Sequence, residues 1–203
     1  MQTTFMVVDN FLDNAEALRA HALTLDYPDQ EGAFPGRNSL QRINIDGLTE
    51  AVSRLVGEPL VAAPPPQSHA KCRITLAADK GRGRVHVDES HWSGILYLSK
   101  PEDCSGGTEF FRHRATGLDQ FPFSPDELRR HGFADHADAH RALIERDGTN
   151  DSAWESLLTV PMKFKRLLLL RPFLFHTAGP GFGERMENGR LVYLMFFNRP
   201  AQG

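Results

Sequence analysis

A series of short apolar runs separated by turn residues fills the chain from residue 70 onward and constrains the fold most. Cys72, Ile74 and Leu76 alternate with Arg73 and Thr75, which is the period-two pattern of a half-buried strand. Further short runs follow at 85–88, 94–99, 107–112, 165–170, 173–176 and 190–197, with a turn at 81–83. A succession of short strands joined by turns is typical of a β-sandwich or barrel. We therefore expect a mainly β core over residues 70–198, with flanking helices (α+β).

Residues 1–66 are more mixed, and we expect them to support one sheet with short helices and strands. Asp13 is a helix N-cap candidate with Glu16 three residues on, which is the spacing of a capping box. Three consecutive prolines, Pro64 to Pro66, form an extended link to the β body. The expected elements are strands at 4–8 and 40–45 and helices from 13 to about 25 and from 49 to 57.

A helical insertion is predicted inside the β body, at about residues 124–159. Ser124, followed by Pro125 and by Glu127, carries the signals of a helix start, and the pattern extends to about Arg146. A second short helix is expected at 151–159. The length of 203 residues is that of one domain, so we expect residues 1–203 to form a single domain.

Composition argues against several classes of partner. The chain has 23 Lys+Arg against 26 Asp+Glu, so its net charge of −3 gives no field that attracts nucleic acid or an anionic membrane. Two cysteines cannot form a disulfide framework, and neither a signal peptide nor a long apolar span is visible. We expect a cytoplasmic protein with no nucleic-acid or membrane partner; the oligomeric state is left open.

His86-Val87-Asp88 is the first candidate site. On a strand, residues two apart project from the same face, so an imidazole and a carboxylate can bind one ion together. A third, distant ligand would complete a facial set for Fe(II). The motif is common by chance, and a second copy occurs at His136-Ala137-Asp138. That copy lies in a predicted helix, where residues two apart diverge, so it cannot chelate.

His136 and His140 share a helical face, which is the spacing of a zinc-protease helix. Position 137 is Ala where that chemistry needs a glutamate base, so we interpret this pair as a solvated face. The context of His86 is more informative. Downstream lie a strand with Tyr97, a turn at Gly106-Gly107 before Thr108, His176 at a strand end, and Arg190. An arginine that opens the apolar strand 191–197 is costly unless it meets an anion, such as a small dicarboxylate.

These features together resemble the 2-oxoglutarate- and Fe(II)-dependent oxygenases, in particular their prolyl-hydroxylase-like branch. The shared pattern is His-x-Asp, a Tyr-Leu strand, a Gly-Gly turn, a distal His and a basic residue that leads the last core strand, and it covers about residues 70–198. Two features depart from it. Arg190 lies further from His176 than the family spacing, which Arg185 fits better, and the helical insertion is atypical. We prefer Arg190 because Arg185 lies in a glycine-rich loop.

The resemblance implies a double-stranded β-helix, or jelly-roll, that binds Fe(II), 2-oxoglutarate and O₂. His86, Asp88 and His176 would bind the metal. Arg190 would hold the far carboxylate of 2-oxoglutarate, with Tyr97 and Thr108 as further donors; these assignments are the implied site. Halogenating members carry a small residue in place of the aspartate, so Asp88 favours hydroxylation or a related oxidation, with release of succinate and CO₂.

We expect the substrate to be a small metabolite, such as a free or carrier-bound amino acid, and a protein side chain is the second possibility. His91 and Trp92 follow the first ligands and could line the substrate entrance; Arg37, His69 and Arg73 could reach substrate from the other side. Two further classes stay open. A cupin-like metalloenzyme could use the same ligands without 2-oxoglutarate, and a non-catalytic binding domain would need no metal.

Overall fold

The computed structural model describes residues 3–29, 34–79 and 84–201. The turn expected at 81–83 lies outside these residues. The strands are β1 (Phe5–Val8), β2 (Arg37–Asn38), β3 (Val61–Ala62), β4 (Cys72–Thr75), β5 (Trp92–Tyr97), β6 (Gly107–His113), β7 (Trp154–Pro161), β8 (Leu167–Leu170), β9 (His176–Thr177) and β10 (Arg190–Asn198). The α-helices are α1 (Ala15–Ala22), α2 (Leu48–Val56), α3 (Pro125–Arg130) and α4 (His136–His140).

The strands form two antiparallel sheets. The larger sheet has seven strands in the order β1-β8-β5-β10-β4-β2, with β3 paired to β10, and the smaller has the order β7-β6-β9. Strands distant in sequence are neighbours in both sheets; for example, β10 lies between β4 and β5. The architecture is a double-stranded β-helix, which confirms the expected mainly β jelly-roll with flanking helices.

Strand β10 shows how the larger sheet separates the hydrophobic core from the inner cavity. Successive side chains of a strand point to opposite faces. One set is fully buried in the main core, beneath α1 and α2; it consists of Leu191, Tyr193, Met195 and Phe197. The alternate set faces the smaller sheet; it consists of Arg190, Val192, Leu194 and Phe196. Arg190 is thus on the inner face of the jelly-roll.

The two N-terminal helices cover the outer face of the larger sheet. Leu48 and Val52 of α2 are buried in the main core, and Gly57 ends this helix in the left-handed conformation. Helix α1 is shorter than expected, and its N-cap is Asn14 without a side-chain cap. The capping box predicted at Asp13 is therefore wrong.

The predicted helical insertion at 124–159 is only partly correct. Ser124 and Glu127 form the expected capping box, but α3 ends before Gly132, which has a φ of +79°. The chain restarts at Asp135, whose side chain caps α4, and a π-helix follows over Arg141–Arg146. A glycine in the left-handed region ends a helix because it has no Cβ penalty there.

The second helix expected at 151–159 is wrong. Only Asp151–Ala153 form a short 3₁₀ turn, and β7 begins at Trp154 and pairs with β6 along its whole length. The short apolar segment is ambiguous between helix and strand in sequence alone, and pairing with β6 decides it.

Three other predicted strands also differ from the structure. The strand expected at 40–45 is absent from the described residues; the strand next to β4 is β2 instead, and Leu40 is exposed. At 85–88 only His86 forms a bridge, and at 173–176 only the last residue belongs to a strand. Within the described ranges, each helix is too short or too polar to cross a lipid bilayer.

Candidate metal centre

His86 and His176 face each other across a two-residue backbone bridge. The amide of His86 donates to the carbonyl of His176 at 3.0 Å, and the amide of His176 donates back at 3.1 Å. Their imidazole rings lie 4.4 Å apart, centroid to centroid. The exchange of two hydrogen bonds fixes both Cα atoms, so the rings project from neighbouring positions on the same side.

Asp88 joins this pair from two residues beyond His86. Its backbone amide donates to the carbonyl of Pro172 at 3.0 Å, which holds this segment against the end of β8. Its carboxylate lies between the rings: Oδ1 is 3.7 Å from Nε2 of His86, and Oδ2 is 3.6 Å from Nε2 of His176. One ligand atom from each of the three side chains lies within 4.8 Å of the others.

The second nitrogen of each imidazole is held by a backbone carbonyl. Nδ1 of His176 lies 2.7 Å from the carbonyl of Leu174, and Nδ1 of His86 lies 3.3 Å from that of Arg84. A carbonyl oxygen only accepts, so each Nδ1 carries a proton, and in the neutral form of each ring the lone pair is then on Nε2. This is the arrangement in which backbone partners orient histidine ligands toward a metal.

The electrostatics favour the ligating protonation states of His86 and Asp88. Burial, and then the neighbouring His176, lower the pKa of His86 to about 4. Burial acts to raise the pKa of Asp88, but the two imidazoles and the Ser93 hydroxyl outweigh it, so the pKa lies below its usual range. A neutral imidazole and an ionised carboxylate are the forms that bind a metal cation.

A cavity of about 1150 Å³ opens in front of the three side chains. Its floor is the inner face of the larger sheet, including Ser93, Ile95 and Leu194. Asn38, Pro66 and Arg73 line it from the N-terminal side. Of the three residues that could have reached a substrate from this side, Arg73 lines the cavity, whereas Arg37 and His69 do not.

The side chains of Arg190, Tyr97 and Thr108 are buried on the inner faces of the two sheets. Arg190 is 2% exposed, and Tyr97 and Thr108 are fully buried. The hydroxyls of Tyr97 and Thr108 are 2.8 Å apart. Within the described residues, Nε and Nη2 of Arg190 have no hydrogen-bond partner. Burial lowers the pKa of Arg190 below its usual value, while the Tyr97 phenol acts to raise it.

An unpaired, buried guanidinium is costly because charged donors lose their hydration without compensation. The alternative cation, Arg185, is exposed and lies at the start of a short 3₁₀ turn. His136 and His140 are also exposed on α4. In the described part of the chain, the only cluster of three potential metal-ligating side chains is that of His86, Asp88 and His176.

Phe34 is a site residue that the sequence did not reveal. Its ring lies 4.5 Å from that of His86 and is 40% exposed at the cavity. The Arg73 guanidinium donates to the carbonyls of Phe34 and Pro35, at 3.0 and 2.6 Å, and so ties this loop to β4. Burial, and then the charge of Arg190, lower the pKa of Arg73 to about 10.

His91 and Trp92, which could have lined the substrate entrance, lie outside the cavity. Trp92 is fully buried in the main core, and Nε2 of His91 lies 2.8 Å from Glu58. Glu58 also pairs with Arg171, which stacks 4.1 Å from the Trp92 ring. Arg171 precedes Pro172, whose carbonyl holds the Asp88 amide. These residues therefore do not line the cavity, but they pack next to the backbone segment that holds Asp88.

Solved structures with a similar fold include proteins that bind or depend on 2-oxoglutarate. HygX from Streptomyces hygroscopicus, with nickel, 2-oxoglutarate and hygromycin B bound, is 17% identical and has a TM-score of 0.58; the match covers 98% of this chain and 84% of HygX. The non-heme alpha ketoglutarate dependent epimerase SnoN from nogalamycin biosynthesis is 12% identical, with a TM-score of 0.55 and coverage of 98% and 79%.

SnoK, a non-heme alpha ketoglutarate dependent carbocyclase from nogalamycin biosynthesis, is 13% identical and has a TM-score of 0.53; the match covers 98% of this chain and 81% of SnoK. At such identities the likeness shows the fold. The sequence itself belongs to the family of unknown function DUF6445, whose model matches residues 1–197. No curated protein matches the sequence.

Proposed function

We propose that this protein is an Fe(II)- and 2-oxoglutarate-dependent dioxygenase of the prolyl-hydroxylase-like branch, and that it hydroxylates a small molecule. The observation that carries the proposal is the buried guanidinium of Arg190 on the inner face of a jelly-roll, where two of its nitrogens have no hydrogen-bond partner among the described residues. Such a group needs an anion, and the dicarboxylate 2-oxoglutarate supplies one. A metalloenzyme that uses no 2-oxoglutarate would have no need for this cation.

The proposed metal ligands are His86, Asp88 and His176. Two imidazole nitrogens and one carboxylate oxygen, all within 4.8 Å, are the donor set that suits non-heme Fe(II) and leaves coordination positions open. When bound, the iron would activate O₂ with electrons from the oxidative decarboxylation of 2-oxoglutarate, which yields succinate and CO₂. The residues of this chain would fix the ion and keep each Nε2 directed toward it.

In the proposed cosubstrate site, Arg190 binds the far carboxylate of 2-oxoglutarate. The planar guanidinium suits a carboxylate because it can donate two parallel hydrogen bonds. The Tyr97 and Thr108 hydroxyls, already 2.8 Å apart, would add donors to the same anion. Val192 and Met162 pack with Tyr97 and exclude water from this end, so the charge pairing takes place in a dry environment.

The cavity supports a substrate larger than a free amino acid. Its volume of about 1150 Å³ lies slightly above the usual range of small-molecule pockets, about 300–1000 Å³, and leaves room for a second organic molecule beside 2-oxoglutarate. This favours a carrier-bound amino acid or another drug-sized metabolite. A reducing, cytoplasmic setting is part of the proposal, because both cysteines are free thiols.

The proposal is tested by succinate release from 2-oxoglutarate in the presence of Fe(II), O₂ and ascorbate. Candidate substrates are amino acids, short peptides and hygromycin B, a compound bound by a structural neighbour. We expect slow succinate release without substrate and stimulation by one class of compound. Both activities should be absent in His176→Ala and retained in His140→Ala, which changes an exposed histidine.

Two results would count against the proposal. Metal binding without any 2-oxoglutarate binding would favour the cupin-like alternative. Absence of both metal and 2-oxoglutarate binding would favour a non-catalytic domain. If peptides alone stimulate succinate release, the proposed chemistry would stand, but the substrate would be a protein side chain rather than a small molecule.

A further inference from the structure

Ser93 makes a short hydrogen bond to the carboxylate at the candidate metal centre. It lies on β5, next to β10, and is 2% exposed. Its Oγ donates to Oδ2 of Asp88 at 2.6 Å. A hydrogen bond from a neutral hydroxyl to a carboxylate at this distance is charge-assisted and strong.

The hydroxyl of Ser90 completes the arrangement. It lies 3.0 Å from Oγ of Ser93. The carboxylate of Asp88 only accepts, so Ser93 donates its single hydroxyl proton to Asp88. Ser90 must then be the donor in the hydrogen bond with Ser93. The direction of both hydrogen bonds is therefore fixed, from Ser90 to Ser93 to Asp88.

The two carboxylate oxygens of Asp88 are consequently not equivalent. Oδ2 accepts the Ser93 proton, while in the described part of the chain no hydroxyl or amide donates to Oδ1. Oδ1 faces Nε2 of His86 at 3.7 Å. Both oxygens face an imidazole, since Oδ2 lies 3.6 Å from Nε2 of His176, but Oδ2 already accepts the Ser93 proton, whereas Oδ1 keeps its lone pairs available for a cation.

We infer that Ser93 is a positioning residue that orients the Asp88 carboxylate for metal binding through one oxygen. This inference rests on the proposed function, because it assumes that His86, Asp88 and His176 bind a divalent metal. A carboxylate that binds through one oxygen uses one coordination position, which preserves the positions that a chelating cosubstrate and O₂ require. Residues that hydrogen-bond to metal ligands typically change metal affinity about 10–100-fold when they are mutated.

The test is Co(II) affinity of the purified full-length protein, measured by titration of the visible absorption of bound Co(II) without 2-oxoglutarate. We expect Ser93→Ala to weaken Co(II) binding by about 10–100-fold and Ser93→Thr, which keeps the hydroxyl, to restore it. Ser99→Ala is the matched control. Ser99 is also buried, and its hydroxyl donates to the Gly189 carbonyl at 2.8 Å, away from the metal ligands.

The outcomes separate the inference from the function on which it rests. Wild-type affinity in Ser93→Ala, with the wild-type protein binding Co(II), overturns the role of Ser93 and leaves the metal site intact. Absence of Co(II) binding by the wild type overturns both. Weakening in Ser93→Ala that Ser93→Thr fails to restore also contradicts the inference. The metal-free melting temperature should fall by a similar amount in Ser93→Ala and Ser99→Ala, because each loses a buried hydrogen bond, whereas only Ser93→Ala should lose Co(II) affinity.

Discussion

His86 and His176 exchange two backbone hydrogen bonds, although they are far apart in sequence: His86 precedes β5, and His176 begins β9, after the helical insertion. The bridge fixes the distance between the two imidazoles without relying on side-chain packing. The backbone hydrogen bond from Asp88 to Pro172 then places the Asp88 side chain beside the two imidazoles. The candidate centre is therefore built by the backbone and should be formed before any metal binds.

Asp88→Asn should abolish stabilisation by metal. A ligand at a hundred times its dissociation constant adds about 2.7 kcal/mol to the free energy of unfolding, so wild-type protein should melt at a higher temperature with Mn(II). The amide is the same size but carries no charge, and the metal-dependent shift should disappear. Asp138→Asn, in the second His-x-Asp copy, is the control and should keep the full shift. Loss of the shift in both variants would argue against the assignment.

Gly36→Ala should displace the loop that carries Phe34. Gly36 has a φ of +88°, and an added Cβ would collide with the Ile74 carbonyl and the Thr75 hydroxyl. We expect destabilisation of about 1–3 kcal/mol in urea unfolding, because both the backbone and the contact are strained. Gly47→Ala is the control: its φ is +73°, but nothing lies within 4 Å of the added atom, so it should cost less. An equal loss of stability in Gly36→Ala and Gly47→Ala would show that the close contact with Ile74 and Thr75 is unimportant.

Glu58 should make the protein sensitive to acid. Burial acts to raise the pKa of Glu58, but hydrogen bonds from His91 and Trp92 and the charge of Arg171 lower it to about 2 from 4.5. Since the folded-state pKa is lowered, this stabilisation is complete above about pH 4.5 and is lost as the pH falls toward 2.

The measurement is the free energy of unfolding between about pH 3 and pH 7 in wild type and Glu58→Gln. The variant should be less stable at neutral pH by about 1–3 kcal/mol, because Arg171 loses its charged partner, and its stability should fall less steeply with acid. Glu155→Gln removes an exposed partner of Arg112 and should follow the wild-type profile. Parallel curves for wild type and Glu58→Gln would contradict the assigned role.

Sequence reasoning reached the fold and the residues now proposed as metal ligands, but it missed the residues that surround them. The order of the motifs pointed to His86, Asp88 and His176, and the structure brings these side chains together. Ser93 was missed because β5 was expected to begin at Gly94. With Trp92 as its first residue, alternation places Ser93 on the same face as Tyr97.

Other errors came from contacts that local patterns do not encode. The position of Phe34 depends on Arg73, a side chain from a different strand. The neighbouring residues Phe110 and Phe111 likewise pack in different clusters: Phe110 lies with Val160, Leu168 and Leu170, whereas Phe111 packs with Phe175 beneath the helical insertion. Strand periodicity identifies a buried face but does not say which side of the sheet it meets.

The most direct test of the account is 2-oxoglutarate binding to the Mn(II)-loaded protein by calorimetry, in wild type, Arg190→Met and Arg185→Met. Methionine fills the buried space of Arg190 without its charge, and two charge-assisted hydrogen bonds contribute about 1.5–3 kcal/mol each. We predict metal-dependent binding that is at least about 100-fold weaker in Arg190→Met and unchanged in Arg185→Met. Wild-type affinity in Arg190→Met would contradict the proposed cosubstrate site.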